Sequence, residues 1–172
     1  MAAQNKILVT IYIILMSSLL FLMPILYVGQ ENAYAQEGKV DKMLDNLHWL
    51  GHASFRLDAS KVIYFDPWKL PEDSKRADII LITLAHFDHY SLDDIKLISS
   101  EDIVIVASSD VSRQLQSVKP ICKEIISLLP GDNIEISGIK ISAVASYNTN
   151  KQFHTKESGK LGFIVSVDGV KI

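Results

Sequence analysis

The chain of 172 residues is poor in several features that mark common classes of protein. It has one cysteine, Cys122, which leaves no partner for an intramolecular disulfide and no basis for a thiolate metal cluster or a cysteine nucleophile. The 17 Lys and Arg are outnumbered by 20 Asp and Glu, so a broad basic surface for nucleic acid is not expected. A Gly-x-Ser-x-Gly elbow and a glycine-rich phosphate loop are both missing, so the sequence does not support a serine hydrolase or a nucleotide-binding protein.

What remains is the composition of a globular protein with a core. Apolar residues make up 48% of the chain and charged residues 22%, and the length suits one domain. We expect Cys122 to serve as a small, buried apolar side chain.

The N-terminal part of the chain predicts export. Residues 7–28 are almost unbrokenly apolar, and Ala33-Tyr34-Ala35 supplies a small-x-small cleavage site. The sequence favours a signal peptide, residues 1–35, cleaved after Ala35; the alternative is a retained membrane anchor over residues 7–28. Both interpretations predict a secreted or otherwise extracytoplasmic protein, which meets a membrane only through this segment.

The rest of the chain predicts an α/β domain. Residues 36–45 are polar and are expected to form a linker, and the domain itself is expected over 46–172. Ser91 with Asp94 has capping-box spacing, and Asp110 is expected to cap a second helix. Short apolar runs predict strands at 48–50, 54–57, 62–65, 79–83, 103–107, 125–129, 134–136, 139–144, 161–167 and 170–172.

The segment after the fully apolar run 79–83 is the most informative about chemistry. His86, Asp88 and His89 lie within four residues in the loop that precedes the Ser91 helix. Imidazole and carboxylate are the usual ligands of zinc, and loops at strand ends are where a sheet presents polar groups.

Several blocks together resemble the metallo-β-lactamase-fold hydrolases, in the order in which that family carries them. They are Trp-Leu-Gly-His-Ala-Ser-Phe at 49–55, Tyr-Phe-Asp-Pro-Trp at 64–68, the strand 77–83 with 86–89, Tyr-Asn at 147–148 with His154, and Gly-Phe at 162–163. The most similar branch is that of the ascorbate-6-phosphate lactonase-like and N-acylphosphatidylethanolamine phospholipase D-like enzymes. The resemblance implies an αββα sandwich, of which this chain holds the first half and part of the second.

The resemblance also implies metal ligands. One divalent ion would be held by position 84, His86 and His154, and the other by Asp88 and His89 with later residues; Asp88 is also the candidate proton acceptor. Position 84 is Leu84, which has no lone pair to donate. We expect zinc, in one or two ions, with manganese or iron as alternatives because His and Asp suit all three.

A second departure concerns the end of the family pattern. A Gly-Asp-Thr block, whose aspartate bridges the metals, and a final histidine would follow the strand at 170–172. We therefore expect a C-terminally truncated domain, impaired chemistry, an open apolar sheet face with an unpaired edge, and possible self-association through them.

Several other polar residues could have either a functional or a structural role. His52 is expected to support the site by hydrogen bonding more than to bind metal, and His48 to lie on the surface. Asp66 either orients a metal ligand or ends its strand. Tyr147 and Asn148 either line a substrate cleft or pack the loop.

The predicted function is hydrolysis by metal-activated water of an ester, lactone or phosphodiester in a small-molecule or lipid-like substrate. The alternative is a catalytically impaired or inactive remnant that retains metal binding. A fragment of a longer gene would also explain the missing blocks.

Overall fold

The computed structural model describes residues 35–118 and 121–172, so the predicted apolar stretch 7–28 lies outside the described residues. Within the described part, no helix is long and apolar enough to cross a membrane. The predicted linker, residues 36–45, is part of a helix (α1) that spans residues 35–45. Met43 in this helix is buried, and the compact unit that carries the remaining elements begins at Lys42.

The first sheet has six strands in the order β1-β2-β3-β4-β5-β6. The first three strands pair antiparallel, whereas β3 to β6 pair parallel. Buried on both faces, β4 and β5 are continuous runs of apolar residues, as parallel strands covered on two sides require. The strands are β1 Leu47–Gly51, β2 Ser54–Asp58, β3 Val62–Phe65, β4 Ile79–Ile82, β5 Val104–Ser108 and β6 Glu124–Leu128.

Two helices, α2 (Leu92–Ile98) and α3 (Ser109–Val118), cover one face of this sheet. Their apolar stripes join the strands in one buried cluster, which includes Ile80, Ile82, Ile95 and Leu115. Cys122 is partly buried against the same cluster, and burial raises the pKa of its thiol, which suits the predicted packing role.

The two predicted helix caps differ in outcome. Ser91 is the N-cap of α2, and its hydroxyl accepts a hydrogen bond from the Asp94 amide at 3.4 Å. The prediction that Asp110 caps α3 is wrong, because the helix begins at Ser109. The Asp110 carboxylate lies inside the first turn, where it accepts hydrogen bonds from the Ser108 hydroxyl and the Val111 amide.

The second sheet is antiparallel, in the order β10-β9-β8-β7. Its strands are β7 Asn133–Ile136, β8 Ile139–Ala145, β9 Leu161–Val167 and β10 Val170–Lys171. Alternate residues of β8 and β9, among them Ile141, Ala143 and Val165, are buried. The mixed α/β architecture confirms the predicted fold class; in residues 46–172 it comprises a helical layer and two sheets.

The other face of the second sheet is less apolar than expected. Along β8 and β9 the opposed pairs are Lys140 with Ser166, Ser142 with Ile164, and Val144 with Gly162. Among these residues only Ile164 and Val144 present large apolar side chains to solvent, exposed by 36% and 39%. The apolar patch expected on this face is therefore limited to two side chains in the described residues.

The carboxyl ends of several strands meet at one edge of the molecule. Strands β1, β3 and β4 run in the same direction, so the residues that follow them lie at the same edge of the first sheet. The β8–β9 loop, residues 146–160, reaches this edge because the Leu161 amide donates to the Thr83 carbonyl at 3.1 Å. This edge carries the predicted site residues.

Candidate metal site

A buried carboxylate holds the innermost histidine of the site. Asp66 follows β3, is 3% exposed, and has a positive φ of 44°, so the chain turns at the point where the carboxylate points inward. Its oxygens accept hydrogen bonds from the Thr83 amide (2.8 Å) and hydroxyl (2.7 Å), and contact His89 Nδ1 at 2.7 Å. Because Nδ1 is engaged, Nε2 of His89 is the nitrogen left for a metal ion. Asp66 thus both ends its strand and orients His89.

His52 and Asp88 form the outer part of the same cluster. His52 lies in the turn between β1 and β2 with φ 51°, and its carbonyl accepts a hydrogen bond from the Trp49 indole at 3.0 Å. Its Nε2 lies 2.7 Å from Asp88 Oδ2. The ring of His52 also packs edge-on against His89, with 5.6 Å between centroids.

One potential ligand atom each from His52, Asp88 and His89 lies within 4.8 Å of the others. Two imidazoles and a carboxylate at this spacing fit a divalent ion such as zinc, which ordinarily takes three protein ligands in a catalytic site. Two donors bound to one tetrahedral ion stand about 3.3 Å apart. The His52–Asp88 contact is shorter than this, so an ion would have to part these two groups.

The charges within the cluster reinforce one another. The hydrogen bond to Asp66 raises the pKa of His89, against the opposing effect of burial. For Asp88, burial alone would raise the pKa, but the hydrogen bonds from a backbone amide and from His52 outweigh it and lower the pKa. Asp88 is therefore ionised at neutral pH, as a metal ligand or a proton acceptor must be.

A second cluster lies beside the first and contains His86 and His154. The centroids of these two rings are 5.1 Å apart. The ammonium group of Lys160 lies 3.4 Å from His86 Nε2. Partial burial, followed by the charge of Lys160, lowers the pKa of His154.

This second cluster offers a metal ion two imidazoles, one ligand fewer than a catalytic zinc ordinarily has. Leu84, at the position where the resemblance implies a ligand, is 7% exposed and has no donor atom. Among the described residues, no third His, Cys, Asp or Glu joins His86 and His154 in a metal-sized group. A lysine ammonium stands at the ring nitrogen that a metal would use.

Two aromatic side chains, one half-buried and one exposed, border the site. The Trp68 ring lies 5.6 Å from His52 and 6.4 Å from Phe87, edge-on in both contacts, and Phe87 is 77% exposed. Beneath Asp66 and Thr83, a cleft of about 310 Å³ opens between apolar side chains of both sheets, including Phe55 and Phe163.

The structure places all four predicted ligands at one edge of the molecule, but in two groups. Asp88 and His89 lie with His52, which was expected to support the site by hydrogen bonding. The rings of His86 and His154 contact each other instead. Asn148 is engaged in its own loop, where it donates to the carbonyls of His154 and Phe153.

Sequence reasoning missed the parts played by Thr83, Trp68 and Lys160. Thr83 directly follows a buried strand and precedes the histidine segment, a position that could have indicated its contact with the site. Lys160 stands in no recognisable motif, so nothing in the sequence could have indicated its place beside His86.

Comparison with known proteins identifies the family. The profile of the Beta-lactamase superfamily domain matches residues 46–172. The UPF0173 metal-dependent hydrolase of Thermococcus onnurineus is 31% identical over 134 residues, which cover 73% of this chain and 58% of that protein. The corresponding protein of Pyrococcus horikoshii is 33% identical over 135 residues, which cover 72% and 57%.

Solved structures agree with this assignment. A candidate metal-dependent hydrolase of Parabacteroides distasonis has a TM-score of 0.64 and 28% identity, over 73% of this chain and 57% of that one. A metallo hydrolase of Ignicoccus hospitalis shares the fold, with a TM-score of 0.54 and 17% identity over 73% of this chain and 57% of that one.

This chain spans a little over half the length of the curated relatives it matches. The ordered blocks, the two sheets and the clustered imidazoles and carboxylate agree with the profile match. The chain belongs to the Beta-lactamase superfamily domain family, the metal-dependent hydrolases of the metallo-β-lactamase fold.

Proposed function

We propose that the chain carries the metal-binding part of a hydrolase that cleaves an ester, a lactone or a phosphodiester with water. The observation that carries the proposal is the cluster of His52, Asp88 and His89, whose ligand atoms lie within 4.8 Å of one another. Zinc is the proposed ion, with manganese or iron as alternatives, because all three accept imidazole and carboxylate ligands. A divalent ion bound there would lower the pKa of water and polarise the scissile bond.

Each side chain of the cluster has its own role in the proposed reaction. Asp66 fixes the ring of His89, so that Nε2 faces the cluster while Nδ1 stays on the buried carboxylate. Asp88 is ionised and half-buried, which suits a ligand that also accepts a proton from water. His52 supplies the third donor from the β1–β2 turn.

The proposed substrate is a small molecule or a lipid-like ester or phosphodiester. The support is the aromatic border of Trp68 and Phe87, which gives an apolar part of a substrate a surface beside the cluster. The similarity to the ascorbate-6-phosphate lactonase-like and N-acylphosphatidylethanolamine phospholipase D-like branch is part of the same proposal. So is an extracytoplasmic location, with residues 7–28 as signal or anchor; self-association stays a prediction.

A second candidate function follows from Leu84. A buried leucine at an implied ligand position favours a remnant that binds metal without turnover. The two candidates make the same prediction for metal binding and different predictions for catalysis.

The test measures bound metal and hydrolysis with the 172-residue chain. We expect at least one zinc per chain, and turnover of p-nitrophenyl acetate, a simple lactone or bis-p-nitrophenyl phosphate. His89→Ala should strongly weaken zinc binding and hydrolysis, whereas His48→Ala, which removes a histidine that contacts Asp58 away from the cluster, should leave both in place. Zinc without turnover would favour the remnant, and absence of zinc would overturn both candidates.

A further inference from the structure

The second cluster carries an inference that rests on the proposed function. It contains two imidazoles and one ammonium group within contact distance: His86, His154 and Lys160. A metal ion and a lysine both bring positive charge, so the two compete for the same place beside the His86 ring.

Backbone hydrogen bonds fix Lys160 beside the cluster. Its carbonyl accepts from the Ser146 amide at 3.0 Å, at the end of β8. The next residue, Leu161, donates its amide to the Thr83 carbonyl at the end of β4. The lysine therefore stands where the second sheet joins the edge of the first, and its side chain is half-buried there.

The contact with His86 fixes what each partner does. An ammonium group has donors only, so in a hydrogen bond between these two atoms the acceptor is Nε2 of His86. The lone pair that would bind a metal is thereby directed at Lys160. Leu84 stands where a third ligand would be and has no donor atom. A metal ion beside His86 and His154 therefore has too few protein ligands to displace the ammonium group of Lys160.

We propose that Lys160 takes the place of one of the family's two metal ions, so that this chain holds a single divalent ion, at His52, Asp88 and His89. The lysine supplies positive charge for an anionic oxygen of the substrate, such as a phosphate or carboxylate oxygen. It supplies no Lewis acidity, so it leaves the activation of water to the other cluster.

Metal counting tests the inference without any activity measurement. Equilibrium dialysis against Zn²⁺ followed by elemental analysis should give one ion per unmodified chain. Leu84→His combined with Lys160→Met should raise the number to two. Leu84→His combined with Lys140→Met, which removes an exposed lysine on β8, should stay at one.

The charge itself is tested by a conservative variant. Leu84→His with Lys160→Arg keeps a cation beside His86 and should also stay at one ion. A second readout is the ¹⁵N signal of the His86 ring in the metal-free chain, which Lys160→Met should shift and Lys140→Met should not. Far-UV circular dichroism of each variant establishes that the fold is retained.

The possible failures are distinct. Two ions in the unmodified chain would overturn the inference and leave the proposed function standing. No ion would overturn the proposed function together with the inference. Equal metal numbers in the Lys160→Met and Lys140→Met double variants, with an unchanged His86 signal, would show that Lys160 does not act on this cluster.

Discussion

The first sheet and the second sheet contribute differently to the same edge of the molecule. The first sheet has a helical layer on one face, and at its strand ends the buried carboxylate of Asp66 holds His89. The second sheet contributes His154 and Lys160 from the β8–β9 loop, where the support comes mainly from backbone hydrogen bonds. Under the proposed function, metal ligation belongs to the region that rests on the helix-covered core, whereas the loop supplies the groups proposed to adjust charge around it.

The largest expected difference between the two regions is in stability. Ile82→Ala on β4 removes a fully buried side chain from the helix-covered core and should lower the free energy of unfolding by about 2–5 kcal/mol. Ile164→Ala on β9 removes a side chain that is already 36% exposed and should change it by less than about 1 kcal/mol. Urea unfolding measures the free energy of unfolding of both variants. Equal losses would contradict the difference between the helix-covered first sheet and the second sheet.

The next effect concerns metal affinity. His89→Ala removes a ligand whose other nitrogen is held by Asp66, and should weaken zinc binding by roughly 100-fold or more, because loss of a supporting group alone costs about 10–100-fold. His154→Ala should leave the affinity of the bound zinc nearly unchanged. Competition with a chromogenic chelator measures both constants. A comparable loss in His154→Ala would place the ion on the loop side.

A smaller loss is expected when the ligand stays and its support changes. Asp66→Asn keeps the size of the side chain but removes the charge that orients His89, and should weaken zinc binding by about 10–100-fold. Asp73→Asn, at an exposed position before β4, is the matched control and should have no effect. The same chelator competition measures the zinc affinity of both variants. An unaltered affinity in Asp66→Asn would show that Asp66 does not support zinc binding.

The smallest effect concerns acid stability at the far side of the first sheet. Burial alone would raise the pKa of Asp58, but hydrogen bonds from Lys75 and Arg56 outweigh it and hold the pKa below the usual range. Because the folded pKa is the lower one, this contribution is present above about pH 4 and is lost as the pH falls further.

Asp58→Asn should therefore cost at most about 1 kcal/mol at neutral pH, since Lys75 is largely exposed. The difference from the unmodified chain should shrink as the pH drops below 4. Unfolding curves at pH 7 and pH 3 measure it. A difference that grows toward pH 3 would reverse the assigned sign.

Much of the fold could be predicted from local patterns. The strands β3 and β9 have the predicted bounds, because each is an apolar run closed by turn residues, such as Asp66-Pro67 after β3 and Asp168-Gly169 after β9. The α3 cap was misplaced because Ser108 and Asp110 are both good capping residues, and only the path of the chain leaving β5 decides between them.

Only the residues of the site that are close together in the sequence could be predicted. His86, Asp88 and His89 are close in sequence, and a local motif reveals them. The grouping of His52 with Asp88 depends on the order of β1 to β4 in the first sheet, and the position of Lys160 depends on how β9 meets β4. Long-range juxtapositions of this kind leave no periodic signal in one sequence.

The geometry of the His52–Asp88 pair bears on how the protein would be loaded. Asp66 already has three donors around it, so the inner half of the pocket is assembled before any cation arrives. The contact between His52 Nε2 and Asp88 Oδ2, at 2.7 Å, occupies the outer half. If an ion binds here as proposed, loading requires these two side chains to separate while the hydrogen bonds around Asp66 stay in place.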